Sequence, residues 1–413
     1  MGAHNKTFSD NPMLPADKAK SARLLVGLIG IIGLSLSAAA YFGVIGEGLR
    51  KQFYFSWLAA FAFFLTICFG GLFFTVLHHL VRAAWSTGLR RIAENLAMNF
   101  PLMLLFFIPV IAGLGELYHW AHYEHELHGP GAAEVMRDPF LDNKAGYLNQ
   151  KFFLIRAAIF FLVWIGLAFF FRSKSVAQDE SGDEALSFTM RKIAPLGILL
   201  FALSLTFAAF DWLMSLDPHW FSTMFGVYIF AGSVVSIFAT LILCTLWLTG
   251  RGVLNETLTV GNFHDAGKLL FGFIVFWTYI SFSQYYLIWY ANIPEEIGWF
   301  MHRTQGGWEN IGRLIIFGHF IVPFWLLMSR FMKRNRRVLG FLACWMLLMH
   351  FVDLYYVISP TMHHHLHPHW LDLATLCGIG GTFLWFFLGR CQKDAIVAYR
   401  DPMINLSMRY DNV

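Results

Sequence analysis

Charge is scarce in this chain. Of its 413 residues only 14% are charged and 57% are hydrophobic, where a soluble protein of this size carries about 25% charge. That shortage excludes an ordinary soluble fold. Cysteine is scarce too. Cys68, Cys244, Cys344, Cys377 and Cys391 fall in or at the ends of apolar runs and never pair as Cys-x-x-Cys. They read as small core residues, which excludes a disulfide framework, a zinc site and cysteine-held iron–sulfur clusters. No Walker or Gly-x-Gly-x-x-Gly pattern is present, and no polar stretch is long enough for a soluble domain. The chain therefore carries no nucleotide site and no c-type haem domain of its own, and large extramembrane chemistry has to come from partners. The net charge of +4 sits in loops and points to no nucleic-acid partner.

What the chain has in abundance is continuous apolar sequence. A helix needs about 20 mostly apolar residues to cross the hydrocarbon layer, and such runs recur along the whole chain. They do not alternate, which excludes a β-barrel. The expected fold is all-α: a polytopic helical membrane protein with spans near 24–44, 55–78, 98–120, 152–171, 194–214, 223–249, 268–290, 311–329, 338–358 and 370–390. Residues 1–23 and 391–413 read as polar tails around a membrane domain, 24–390. The first run follows Lys18, Lys20 and Arg23 and ends in small residues, as a signal peptide does, but reads as a retained span. Its Gly27, Gly30 and Gly33, with Gly43 and Gly46, form an expected ridge for close helix packing.

Loop charge gives the expected orientation. With the N-terminus inside, 22 of the 30 Lys and Arg residues fall in inner segments, a strong positive-inside bias that places both termini in the cytoplasm. The inner set includes Lys6, Arg90, Arg91 and Arg172. The inner loop at 172–193 carries Asp179, Glu180, Asp183 and Glu184 and reads as a solvated mixed-charge run.

Ionisable residues within spans are costly and mark function by default. Glu116 and His119 are one turn apart near the outer end of span 3, and the histidines continue at His122, His125 and His128. Asp211 ends span 5, His319 lies in span 8, His350 and Asp353 share one face of span 9, and Asp372 opens span 10. His78 and His79 close span 2 at the inner side, with Thr66 and Thr75 above them and Glu94 before span 3. Three readings compete. Haem b on His319 and His350 lacks the four-His, two-helix arrangement of a di-haem subunit. Proton conduction has an outer half in Glu116, His119, Asp211, His350 and Asp353 and an inner half in His78 and His79. The third reading makes each group a packing device. The His-rich outer loop at 363–369 lacks His-x-x-x-His helical spacing and reads as a partner contact rather than a metal site.

Halfway along the chain stands Phe210-Asp211-Trp212-Leu213-Met214-Ser215-Leu216-Asp217-Pro218-His219-Trp220-Phe221-Ser222-Thr223-Met224-Phe225-Gly226, a polar aromatic turn between two spans, expected to dock a partner or handle protons. With Val227–Gly232, with the run from Lys144 to Asn149 leading to Phe152–Arg156, and with Trp289-Tyr290-Ala291-Asn292-Ile293-Pro294-Glu295-Glu296, it resembles the F subunits of bacterial alternative complex III. These are polysulfide-reductase-type (NrfD-like) integral membrane proteins. The resemblance covers nearly the whole chain. It implies two four-helix bundles, spans 2–5 and 6–9, with spans 1 and 10 outside them, in the bacterial cytoplasmic membrane. It implies a complex that oxidises quinol and passes electrons to cytochrome c or a terminal oxidase. The iron–sulfur clusters and c-type haems would sit in partner subunits: an iron–sulfur protein, multihaem and monohaem cytochromes c, and a second NrfD-like subunit. This chain would hold no redox cofactor and would conduct protons.

In the quinol-binding relative, an Asp near the outer end of span 5 works with a His about two turns earlier. Asp211 matches the Asp, but Leu205 stands at the earlier position. The resemblance therefore favours a proton relay. The alternative is a quinone site on Asp211 with His219 or His119 supplying the imidazole. A stand-alone transporter would need paired helix breaks in its two halves. Pro109 and Pro323 are not so paired.

Overall fold

The computed structural model describes residues 8–127 and 137–409, so Lys6 and His128 lie outside the described residues. Every regular element among those residues is helical. Ten helices are long and apolar enough to cross a membrane: Ala16–Tyr41, Arg50–Val81, Thr87–Ala112, Gln150–Ser181, Glu184–Leu216, Phe225–Thr249, Val260–Ala291, Trp308–Met328, Arg336–Thr361 and Trp370–Lys393. We number them as spans 1 to 10. The end that carries both tails is termed the inner end, following the charge-based orientation.

Span 2 is the axis. It is buried along almost its whole length and touches spans 3, 5, 6, 9 and 10. Its Phe- and Ala-rich sequence supplies volume, and its glycines supply close approach. A Cβ at Gly70 would lie 2.4 Å from the Ser233 carbonyl oxygen. Spans 3, 4 and 5 gather against span 2, while spans 7 and 9 gather against span 6 and span 8 packs on spans 7 and 9. The two groups meet where spans 2 and 5 face span 6 and span 2 faces span 9. Span 1 packs mainly on span 10. Its Gly33 sits so close that a Cβ would lie 2.3 Å from the Gly378 nitrogen. Gly43 and Gly46 are not part of that ridge; they turn the chain after span 1 with φ of 72° and 79°.

Span 3 departs most from a regular rod. It runs in pieces, Thr87–Ala97, Phe100–Phe106 and Ile108–Ala112, followed by the short turn Leu114–Leu117. Pro101 and Pro109 lack the N–H that a continuous helix needs, and each stands at the start of a new piece. Tyr118 then adopts an extended conformation, with φ −114° and ψ 119°, before His119–Leu127 resumes.

Both tails dock on the inner end rather than extending as free polar segments. Ile396, Val397 and Ala398 are buried, and the Ile396 N–H donates to the Pro12 carbonyl at 2.8 Å. Asp10 accepts from the Thr257 N–H and hydroxyl, both at 2.8 Å. The mixed-charge run near 180 is likewise not fully solvated. Asp179 is buried, and Asp183 caps the start of span 5 by accepting from the Ala185 N–H at 2.8 Å. The central turn is packed inward. Trp220 is buried and stacks on Trp299 with ring centres 4.6 Å apart, and Lys144 donates to the Pro218 carbonyl at 2.5 Å.

Candidate functional site: a buried imidazole–carboxylate cluster between spans 8 and 9

The local sequence of span 8 makes room for an unusual side chain. Pro323 has no N–H to return to the carbonyl four residues before it, at His319. The helix responds with a π segment over Ile316–Ile321, a local widening frequently found at functional sites. The freed Gly318 carbonyl accepts from the Trp345 indole at 2.7 Å. His319 is thereby turned into the bundle, where it is wholly buried and stacked under Trp277, ring centres 3.8 Å apart.

His350 and Asp353 face it from span 9. They lie three residues apart and so share a face. One ligand atom from each of His319, His350 and Asp353 falls within 4.8 Å of the others, and all three side chains are buried. Asp353 accepts from the Tyr228 hydroxyl of span 6. His350 Nε2 meets Thr66 Oγ1 of span 2 at 2.8 Å. Thr66 has already committed its proton to the Phe63 carbonyl at 2.7 Å, so its oxygen acts there as acceptor. That assigns the proton of His350 to Nε2 and leaves Nδ1 as a bare lone pair. Among the described residues, His350 Nδ1 and both His319 nitrogens have no hydrogen-bond partner. Gly232 clears space for the His350 ring, because a Cβ there would lie 2.7 Å from Cε1 and 3.0 Å from Nδ1. A bis-His haem does not fit this packing: Trp277 and Gly232 lie directly on the two rings, where a porphyrin needs a flat slot.

Asp211 belongs to a different arrangement. It is fully buried and gripped by Arg156 of span 4, Nε to Oδ2 at 2.6 Å and Nη2 to Oδ1 at 3.1 Å. Arg156 also donates to the Tyr147 carbonyl at 2.9 Å and lies between the rings of Tyr147 and Phe152, at 3.8 and 4.3 Å. Asp211 is therefore half of a bidentate ion pair, not a lone carboxylate.

Glu116 and His119 do not form the expected pair. The helix breaks at Tyr118 between them, and both are exposed. His219, the other imidazole considered for a quinone, binds Asp138 at 2.7 Å, while both Asp211 oxygens face Arg156. The Asp138 carboxyl lies below its ordinary range. Its slight burial opposes this, but His219 and the N–H groups of Phe140 and Leu141 favour the charged form. No Asp211–His219 pair is present.

At the inner end, the pairing of His78 and His79 differs between the two rings. Arg90 donates to His78 Nε2 at 3.0 Å, so the ring proton sits on Nδ1, against Ser86 Oγ at 2.7 Å. The His79 ring stacks on Phe171 at 5.4 Å, and its Nε2 has no hydrogen-bond partner among the described residues. Around them lies a buried charge network that composition placed in a loop. Arg90 binds Glu94 at 2.9 Å and Asp401 at 2.6 Å. Arg91 binds Glu94 at 3.0 Å and Asp179 at 2.7 Å, and Arg172 binds Asp394 at 3.0 Å. Sequence reasoning missed Arg156, Asp394 and Asp401 as partners and left His319 out of the proton route. The one local signal for His319 is a proline four residues after a buried histidine.

No protein-family model matches this chain, and no curated protein matches it.

Proposed function

We propose that this chain is a non-redox integral membrane subunit of a respiratory quinol oxidoreductase of the alternative complex III type, in the bacterial cytoplasmic membrane, and that it carries protons through its second bundle. The observation that carries the proton reading is the His319–His350–Asp353 cluster: three titratable side chains, buried together at mid-span, with no Lys or Arg ion-paired to the carboxylate among the described residues. Buried ionisable groups in membrane spans are retained where charge has to cross.

Hydroxyls continue the route. Ser233, Ser236, Thr240, Thr245 and Thr249 recur along span 6 from the depth of His350 to the inner end, all buried, each donating to its own helix and keeping a lone pair free to accept. Thr75, His78 and His79 of span 2 stand at the same end. On the outer side Tyr228 leads from Asp353, and Ser222 and Gln284 lie beyond it, joined at 3.0 Å. The membership of the complex rests on the three motif stretches, and so do its partners: an iron–sulfur protein, cytochromes c, a second NrfD-like subunit and an oxidase.

The test is quinol-driven proton translocation by the intact complex in liposomes. Asp353→Asn should keep quinol-to-cytochrome electron transfer and lose proton translocation. Unchanged translocation would overturn the proton reading. Mass spectrometry of what co-purifies in mild detergent tests the complex: a chain isolated alone would overturn that part.

A second reading, a quinone site in this chain itself, has one observation in its favour. An apolar groove of about 390 Å³ opens between spans 1, 2 and 3, lined by Tyr41, Tyr54, Trp57 and Ile108 among others. Its two tyrosine hydroxyls lie 3.4 Å apart. Protection of Tyr54 from chemical modification by a quinone analogue would favour this reading.

A further inference from the structure

The unpartnered nitrogens of the cluster demand an occupant. A buried polar group without a hydrogen bond costs about 1–3 kcal/mol, and three such nitrogens stand together here. The tautomer argument makes the demand specific. His350 Nδ1 is a bare acceptor, the Asp353 carboxylate accepts, and His319 offers one N–H and one bare nitrogen in either tautomer. The donors facing it are one His319 N–H and the indole N–H of Trp277, which reaches toward Asp353, so a guest has both to donate and to accept.

Geometry then selects the guest. A zinc ion with bonds of about 2.0–2.1 Å brings tetrahedral ligands to about 3.4 Å from one another. A water oxygen with hydrogen bonds of about 2.8 Å leaves them about 4.6 Å apart. The three ligand atoms lie within 4.8 Å of one another, a span that one bridging water can cover. We infer that His319, His350 and Asp353 hold one water molecule between them, and that this water relays the transported proton to the side chains around it. The relay half of the inference rests on the proton-transfer reading above.

The step balances simply. The neutral water donates its two hydrogens to His350 Nδ1 and Asp353 and accepts from the His319 N–H. A proton arriving from the hydroxyl row forms a new O–H bond at the water's free lone pair while one of its existing O–H bonds breaks and that hydrogen passes to His350 Nδ1 or to Asp353, so the water stays neutral. Its other lone pair keeps the hydrogen bond from His319, whose ring is held against Trp277 at 3.8 Å. Onward loss of the proton restores the starting arrangement, and Asp353 supplies the single negative charge that balances the added proton. The other titratable or charged groups facing the cluster are Tyr228 and Tyr356, with Arg303 behind them; spans 2 and 7 contribute Thr66 and Trp277.

The test is infrared difference spectroscopy of the intact complex in nanodiscs, after a step to lower pH, in water and in water labelled with oxygen-18. We expect an isotope-sensitive water band that appears on acidification and is absent in Asp353→Asn and His319→Phe. His319→Gln, which keeps a hydrogen-bonding group, should retain the band shifted in position. A protonated-carboxyl band with no isotope-sensitive partner in the unmodified complex would overturn the inference, since Asp353 would take up its proton with no water beside it. Stoichiometric zinc in the purified complex would overturn it in favour of a dication. If Asp353→Asn abolishes translocation but the unmodified complex shows no water band, the inference alone fails. If the band is present but translocation is indifferent to Asp353, the water stands, and the proton-transfer reading and with it the relay half fail.

Discussion

Removing the charge of Asp211 should unfold this protein more readily than it should impair proton transfer. Asp211→Asn keeps the size of the side chain but leaves the Arg156 guanidinium buried with no anion, where it had two contacts at 2.6 and 3.1 Å. Breaking a buried ion pair by deleting one partner costs about 3–5 kcal/mol, chiefly through the stranded charge. At about 1.4 kcal/mol per tenfold, that lowers the folded-to-unfolded ratio by roughly two to three and a half powers of ten. Arg156→Leu should cost at least as much, since it also removes the stacking on Tyr147 and Phe152, worth about 0.5–2 kcal/mol. The double variant Asp211→Leu/Arg156→Leu strands no charge. Replacing a whole buried pair by apolar residues is often neutral or stabilising, so the double variant should lie within about 2 kcal/mol of the parent, apart from the lost stacking.

The assay is unfolding by SDS titration in mixed micelles, with the four proteins compared as a double-mutant cycle. The expected coupling is about 3 kcal/mol or more, well above the few tenths found between independent sites. Singles that each cost under about 1 kcal/mol, or a double equal to their sum, would refute the account of Asp211 as a structural ion pair. The same double variant, assembled into the complex, should still translocate protons. Loss of translocation with stability restored would return Asp211 to the proton route.

Three further outcomes follow from other parts of the molecule. Gly232→Ala places a methyl group 2.7 Å from His350 Cε1; it should lower thermal stability by about 1–3 kcal/mol through overpacking and abolish proton translocation, measured in liposomes. Trp220→Ala should cost about 3–5 kcal/mol and expose the helix Pro294–His302, on which Trp220 stacks, to limited proteolysis at the outer side. The docked C-terminal tail should be insensitive to pH until strongly acid conditions. Burial alone would raise the Asp401 carboxyl, but its pairing with Arg90 and the Met403 N–H hold it below its ordinary range. A depressed folded value means the carboxylate stabilises the folded state above its unfolded value, about 3.9, and that this is lost as pH falls through the lower folded value. Hydrogen exchange over residues 394–409 should stay slow at pH 5 and rise only below about 4; release near neutrality would contradict the pairing.

The ten spans were legible because continuous apolar length is a local property. Their ends were not. Helices such as Gln150–Ser181 and Val260–Ala291 run well past the apolar core, since polar helical turns carry no hydropathy signal. Arg90 and Arg91 read as loop charges because, beyond nearby Glu94, their partners are far away in sequence: Asp401 reaches Arg90 only once the C-terminal tail folds back, and Asp179 reaches Arg91 from the inner end of span 4. The Arg156–Asp211 pair hides for the same reason, although both residues stood in the motif stretches. Glu116 and His119 illustrate the opposite error. Their spacing predicts a shared face only if the helix continues, and the chain breaks at Tyr118, in a segment already interrupted by Pro109 and Gly113. His350 and Asp353 were legible as a pair because span 9 is regular between them.

The two halves of the molecule solve one problem in two ways. In each four-helix group the fourth helix carries a buried aspartate seven residues before a proline, Asp211 before Pro218 and Asp353 before Pro360. In each, the third helix sends a nitrogenous side chain toward it. In the first group that side chain is Arg156, whose charge is permanent at any physiological pH, and the carboxylate is locked by two direct contacts. In the second it is His319, an imidazole that can both take up and give up a proton, which stands off from the carboxylate and leaves both nitrogens unengaged among the described residues. A guanidinium cannot hand on a proton and an imidazole can. If this difference is what separates a strut from a proton route, then His319→Arg should close the second cluster as Arg156 closes the first. The variant should show a stability near that of the parent, with electron transfer intact and proton translocation gone. A His319→Arg complex that still translocates protons would show that the route bypasses this cluster altogether.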